Sequence, residues 1–339
     1  MMLLRLMTLL IEKERGLLEL SEQLSIKQND LKQLFSELEQ KGIIVHIDTN
    51  GLVNLPDSIS ILSSEVIQSV LATENKAKVD LDCRLVIDST NQQLLNSLPN
   101  LQKLCVCSAE WQAKGRGRLQ RSWISPMGQN LLFSMARHWQ KGEPLVEAGV
   151  LEILSLMAGV AVATTLKELD FSVVKLKWPN DIVVKNSNHQ LEKIAGILVE
   201  SKTDSRQGTW VVGIGLNVND VSSWHNQVDQ NITSLVQLTS ADYSREVLIA
   251  GIIENWLSLE QLLVTHGVSE IIQKWREFDV LFGETLHIQP TTGESYTAIA
   301  RGINEQGMLK LEATHQDGLE IILVHSGDVK VRIKHATVS

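Results

Sequence analysis

Three arginines and two glycines fall within seven residues, Gly115 to Arg121, inside the stretch Gln112–Ser134. Gly115 and Gly117 can take positive φ and let a ligand approach the backbone, while Arg116, Arg118 and Arg121 present forked donors suited to phosphate oxygens. The implied ligand is an anion, foremost a nucleotide phosphate; a solvated basic loop with turn glycines is the plainer alternative. A second polar stretch, Lys177-Trp178-Pro179-Asn180-Asp181, lies between the apolar runs Phe171–Leu176 and Ile182–Val184. It reads as a polar corner between two buried strands and tips the balance toward an anion site. Other chemistries drop out. No glycine-rich loop ends in Gly-Lys-Ser/Thr, and the turn expected at Gly213-Ile214-Gly215 lacks the third glycine of a dinucleotide fingerprint. None of the nine histidines has a metal-ligand spacing such as H-E-x-x-H, so no structural metal is expected. The three cysteines, Cys105 and Cys107 among them in an apolar stretch, read as reduced thiols of a cytoplasmic protein.

These residues need a scaffold, and 339 residues with 43% hydrophobic content suffice for two or three domains. From about 65 to 279, short β-rich runs (Leu85–Ile87, Lys103–Cys107, Leu131–Met135, Val173–Leu176, Ile182–Val184, Ile194–Glu200, Trp210–Val218) alternate with helical ones at Val146–Leu169 and Tyr243–Thr265. That pattern predicts an α+β domain built on a mixed or antiparallel sheet. Ala148–Leu166 approaches membrane-spanning length, but Glu152 within it favours a buried helix, and no membrane is expected. Residues 280–339 alternate apolar and polar positions in five short strands separated by turns at Thr292-Gly293, Gln306-Gly307, Asp317-Gly318 and Ser326-Gly327. A small SH3-like barrel fits, either capping the main domain or taking part in ATP or acceptor binding.

Residues 1–64 read as a winged helix-turn-helix. The apolar start MMLLRLMTLL is broken by Arg5 and lacks a cleavage site, so it predicts a core-facing helix rather than a signal peptide. Leu17, Leu20 and Leu24, then Leu31, Leu34, Phe35 and Leu38, give two amphipathic helices, with Ser25 and Gln28 as a capping box and Gly42 as a stop. Ile43–Ile47 and Leu52–Leu55 flank Asn50-Gly51 as a hairpin wing ended by Pro56. Lys27, Gln28, Asn29, Lys32 and Gln33 are the candidates for reading bases and phosphates. Against this, the chain's net charge is −9, and residues 1–65 hold six Lys or Arg against ten Asp or Glu, a net of −4. One copy would bind DNA weakly, which points to a homodimer on a palindrome; a helical protein-interaction module is the alternative.

Taken together, Asp88-Ser89-Thr90-Asn91, Gln112, Gly115-Arg116-Gly117-Arg118, Trp123 with Ser125-Pro126, Lys177–Asp181 and Lys193–Glu200 closely resemble the biotin protein ligases, in order and in spacing. With the amino-terminal helices, the chain resembles the bifunctional type that is also the biotin operon repressor. The resemblance implies a multidomain α+β architecture whose central fold is shared with class II aminoacyl-tRNA synthetases. It implies biotin, ATP and Mg²⁺ as substrates and cofactor, a biotin carboxyl carrier domain as acceptor, and operator DNA as partner of an adenylate-bound homodimer. By the same resemblance Ser89, Thr90, Asn91, Gln112, Gly115, Arg116, Gly117, Arg118 and Lys177 bind biotin, and Lys177 and Arg118 are catalytic. Arg116, Arg118, Arg121, Asn180 and Asn217 meet ATP or the adenylate, with Asn219–Asn231 as a mobile lid. Ser89-Thr90-Asn91 would also cap a helix in any protein. The family's Gly-Arg-Gly-Arg-Arg-Gly-Arg is interrupted here by Leu119-Gln120. Two alternatives stay open: a ligand-binding transcription factor with decayed ligase activity, and a ligase whose amino-terminal module binds no DNA.

Overall fold

In the computed structural model three sheets carry the chain, described over residues 2–55, 59–96, 103–140, 150–203, 207–222, 224–315 and 318–333. The amino-terminal part comprises α1 (Met2–Glu12), β1 (Arg15–Gly16), α2 (Leu17–Leu24), α3 (Gln28–Gln40), β2 (His46–Ile47) and β3 (Leu52–Asn54). Leu3, Leu6, Met7 and Leu10 are buried at helical spacing against Leu20, Leu24, Leu31 and Leu38, so the apolar start is a core helix. The expected hairpin forms and gains a third strand, in the order β1-β3-β2, through Arg15↔Val53. The capping box is corrected. Ser25 has φ 56 and ends α2 as its left-handed cap, while α3 starts after Lys27, whose N–H donates to Asp30 Oδ2 at 3.3 Å. The three-residue corner Ser25-Ile26-Lys27 between the helices leaves no place for Ser25 to cap both. Pro56 lies outside the described residues.

The central part holds α4 (Ser64–Val70), α5 (Thr73–Lys76), β4 (Val79–Ile87), α6 (Thr90–Asn96), β5 (Leu104–Gln112), β6 (Leu131–Gln140), α7 (Val150–Glu168), β7 (Lys175–Lys177), β8 (Asp181–Lys185), β9 (Leu191–Thr203), β10 (Gln207–Leu216), α8 (Leu235–Thr239), α9 (Arg245–His266) and α10 (Val268–Arg276). Seven strands pair in the order β4-β5-β6-β10-β9-β8-β7, and only β4 and β5 run parallel. The face of Gly213 and Leu198 receives α6, and the face of Ile197 receives α7 with α9 behind it. Long apolar α9 meets the length and composition of a membrane span, yet Leu248, Ile249, Ile252, Ile253 and Trp256 are all buried in the core. Residues 146–149, expected to begin α7, lie outside the described residues.

Two central expectations change. Gly213-Ile214-Gly215 is no turn; it sits inside β10, hydrogen-bonded to β6 on one side and β9 on the other. Five or more apolar residues around it outweigh the local turn preference of glycine. The Asn219–Asn231 segment, expected as a lid, is pinned by buried Val221 and Trp224 and by Asn219 N–H donating to Gln129 O at 3.3 Å; Ser223 lies outside the described residues.

The last part is an antiparallel sheet of β11 (Thr285–Pro290), β12 (Tyr296–Ile303), β13 (Leu309–His315), β14 (Gly318–Val324) and β15 (Val329–Ile333), in the order β14-β13-β12-β11-β15. Its inward Leu286, Ile288, Ala300 and Leu311 continue the central core, whereas the amino-terminal core is a separate cluster. Of the expected turn Asp317-Gly318, Asp317 lies outside the described residues.

Candidate active site

The start of α6 aims its polar residues at the sheet. Ser89 Oγ accepts from Gln92 N–H at 3.4 Å, so the capping role expected of it is present. Thr90 and Asn91, both buried, instead join a relay across three strands. Gln112 Oε1 accepts from Thr90 N–H (2.8 Å) and Oγ1 (3.1 Å), and Thr90 Oγ1 lies 2.6 Å from Ser134 Oγ. Ser134 Oγ donates to Asn91 Oδ1 (2.5 Å), and Asn91 Nδ2 donates to Glu200 Oε2 (2.8 Å). Arg116 closes the relay with an ion pair to Glu200 Oε1 at 3.2 Å. Gly213 makes this possible: a Cβ there would strike the Asn91 amide, with Cγ at 3.0 Å.

The basic loop folds on itself as a small hairpin. Trp123 N–H donates to Gly115 O (2.9 Å), Arg116 bridges to Ser122, and Gly117 N–H donates to Arg121 O (2.7 Å). Leu119 and Gln120 both take left-handed φ, 55° and 59°, where the family pattern has Arg-Gly. Holding two non-glycine residues there costs about 1–2 kcal/mol each. Arg118 donates to Asn180 Oδ1 (3.4 Å) and Ser326 O (2.5 Å), so the last sheet touches the loop. Arg121 is exposed and does not line the cleft.

An open cleft of about 490 Å³ gathers Ser89, Thr90, Asn91, Gln112, Arg116, Gly117, Arg118 and Asn180. Asn180 is fixed there by donating to Ile197 O at 2.8 Å. Four expected residues stand apart from its lining: Arg121, Gly115 at the hairpin base, Lys177, and Asn217. Lys177 lies on β7 opposite Asp181, and burial holds its ammonium below the usual lysine range, with Asp181 opposing that and Lys193 adding to it. Asn217 is buried and donates to Thr233 O (3.0 Å), while its Oδ1 has no protein partner.

Sequence reasoning assigned no role to several residues that line the cleft. Lys193 does so, paired with Asp181 at 2.7 Å and 5.3 Å from the Trp123 ring centroid. Trp123 packs where Gly215 and Gly196 leave room, and its buried Nε1–H has no partner. Lys193, Glu200 and Trp123 were within recognisable segments, but Ser134 carried no signal, being 44 residues from the threonine it meets. Chemically, the cleft offers a buried end of neutral hydroxyl and amide groups beside apolar Leu132 and Phe133, and a half-buried end with Arg116, Arg118 and Lys193. The first end suits a small uncharged polar ring with an apolar body, and the second suits condensed anions.

This cleft on this sheet places the chain in a known class: it belongs to the biotin/lipoate A/B protein ligase family, whose model matches residues 84–217. Within that class it is similar to the bifunctional ligase/repressor BirA of Salmonella typhimurium, 32% identical over 304 residues, 89% of this chain and 88% of that protein. The Escherichia coli bifunctional ligase/repressor BirA matches with the same identity and coverage. Biotin protein ligase from Aquifex aeolicus, solved in complex with biotin and ATP, shares the fold at a TM-score of 0.60 with 24% identity, over 76% of this chain and 99% of that one.

Proposed function

We propose that the protein is an ATP-dependent biotin protein ligase that forms biotinyl-5′-AMP and passes biotin to a lysine of a biotin carboxyl carrier domain. The observation that carries this is one cleft holding a neutral hydrogen-bonding relay beside three cations. The ureido ring of biotin would meet Ser89, Thr90, Asn91 and Gln112, with its tail along Leu132 and Phe133. In the first step a biotin carboxylate oxygen attacks the α-phosphorus and pyrophosphate leaves; two anions must approach, so neutralisation dominates the barrier. Arg116 and Arg118 serve the triphosphate and the leaving group, and Arg121, exposed outside the cleft, would join them once the loop closes over the ligand. Lys177 serves the carboxylate and α-phosphate, with Lys193 beside it. Asn180 and Asn217, the latter with a free buried acceptor, serve the adenosine side. Mg²⁺ would arrive with ATP. The acids at the cleft, Asp181 and Glu200, are already paired with Lys193 and Arg116, so phosphate oxygens are its natural ligands. In the second step the acceptor lysine amine attacks the acyl carbon and AMP leaves.

The same proposal extends to the amino-terminal part as a winged helix-turn-helix and to the last sheet as an SH3-like barrel, with boundaries at 64/65 and 279/280. Lys27, just before α3, and Gln28, Asn29, Lys32 and Gln33 on its first turns are all exposed, as operator recognition by a dimer would need. The relatives named bifunctional ligase/repressor support this half. Biotin-dependent ATP–pyrophosphate exchange tests the enzyme: Lys177→Ala should lower it by about two orders of magnitude or more, as loss of a transition-state electrostatic contact does. Normal exchange in that variant would remove Lys177 from the reaction.

A further inference from the structure

The segment Trp123–Asn130, which leaves the base of the basic loop, is fastened from two sides. On one side Met127 N–H donates to Lys41 O (2.9 Å) at the end of α3, and Gly42 packs so closely that a Cβ there would lie 2.9 Å from the Pro126 ring. On the other, buried Asn130 donates to Ser125 Oγ (3.0 Å) and accepts from Val218 N–H (3.0 Å). The Asn130 carbonyl accepts from Arg245 Nη1 at 2.9 Å. That guanidinium also pairs with Glu110 (2.6 Å) and donates through Nη2 to Ser60 O (2.7 Å), and the second Glu110 oxygen accepts from Leu62 N–H (2.5 Å). Side-chain exposure is 2% for Arg245 and 1% for Glu110.

A fully buried ion pair adds little stability over an apolar pair of the same volume, because desolvation offsets the attraction. What it supplies is direction. Here Arg245 Nη1 is aimed at Asn130, which leads through Ser125 to the cleft, while Nη2 is aimed at Ser60 and Glu110 takes the Leu62 N–H, both on the way to the amino-terminal part; Arg245 Nε has no protein partner among the described residues. Ser125 stands two residues from Trp123, whose N–H closes the loop hairpin and whose ring lines the cleft beside Lys193.

We propose that Arg245 is a positioning residue: through Asn130 and Ser125 it sets Trp123 and the basic loop in the cleft, and through Ser60 it ties that setting to the amino-terminal part. Adenylate that seats Trp123 then steadies the 59–63 segment and the end of α3, and a change at α3 alters nucleotide affinity by the same factor. This rests on the adenylate-forming function proposed above.

The test uses the full chain and the double variant Glu110→Leu with Arg245→Met, which replaces the pair by apolar groups and removes no single partner. Hydrogen exchange of residues 39–43 and 59–63 is followed with and without biotin plus ATP, alongside pyrophosphate-exchange kinetics. In the wild type, ligands should slow exchange in both segments about tenfold or more, a typical allosteric coupling. In the variant that protection should vanish while KM for ATP rises about tenfold and kcat stays within about threefold, a split that general unfolding would not give. Should the double variant fold poorly, Ser125→Ala cuts one link and leaves the ion pair, and should show the same changes at about threefold. Absent protection in the wild type, or full protection and unchanged KM in the variants, overturns the inference. Absence of pyrophosphate exchange in the wild type instead overturns the function on which it rests.

Discussion

Gly213→Ala should empty the neutral end of the cleft. The added methyl would meet the Asn91 amide, which cannot swing aside because Ser134, Glu200 and Leu198 O all hold it, at 2.5, 2.8 and 3.3 Å. Strand β10 cannot retreat either, being paired on both edges. Asn91 must therefore leave, which breaks one charge-assisted hydrogen bond of about 1.5–3 kcal/mol and neutral ones of about 1 kcal/mol, partly replaced by water. That is a loss of stability shared by the free and bound protein; biotin binding loses only the one or two hydrogen bonds that Asn91 would give the ligand, about 1 kcal/mol each, so Kd should rise by roughly 5- to 30-fold at 1.4 kcal/mol per tenfold. Calorimetric titration of biotin measures it directly. Gly16→Ala is the control, since a Cβ there meets nothing within 4 Å. Biotin affinity unchanged within about twofold in Gly213→Ala would refute the placement of Asn91 at the ligand.

Other perturbations separate the parts of the account. Arg118→Gly removes the contacts to Asn180 and Ser326, so the loop should retain the adenylate less well; faster release of biotinyl-5′-AMP and indiscriminate labelling of nearby lysines are expected, read by stopped-flow and mass spectrometry. Lys32→Ala should weaken operator binding and lower its salt slope by about one unit while leaving ligase activity alone, measured by fluorescence titration across salt concentrations. Burial pushes Asp279 up to about 6, against an ordinary value of about 3.9. The folded chain thus holds its proton more tightly, and stability falls as pH rises from about 4 through about 6. Asp279→Asn keeps the acceptor for Leu281 N–H (2.9 Å) and should stabilise the protein by on the order of 2 kcal/mol at pH 8 but not near pH 4, compared by urea denaturation.

Much of this was legible because the pattern and the packing agree. The β-rich apolar runs of β9 and β10 and the leucine stripes of α2 and α3 announce their elements, and a loop as basic as Gly115–Arg121 announces an anion. Failures cluster where tertiary context decides. Ser25 looks like a helix start and is a helix end, because a short corner leaves it only the left-handed cap. Gly213 and Gly215 look like a turn, yet they are strand positions kept small to admit Asn91 and Trp123. Ser134, Glu200 and Lys193 became visible as partners only when β6 and β9 brought distant residues beside α6 and the loop. The buried Glu110–Arg245 pair had no sequence signal, its members being 135 residues apart.

The most direct measurement incubates the purified protein with biotin, MgATP and a biotin carboxyl carrier domain and weighs the carrier. A biotin protein ligase adds the mass of one biotinyl group to a single carrier lysine, with AMP and pyrophosphate released in equal amounts and no gain when ATP or biotin is omitted. A carrier of unchanged mass, under conditions where an authentic ligase modifies it, would contradict the central claim.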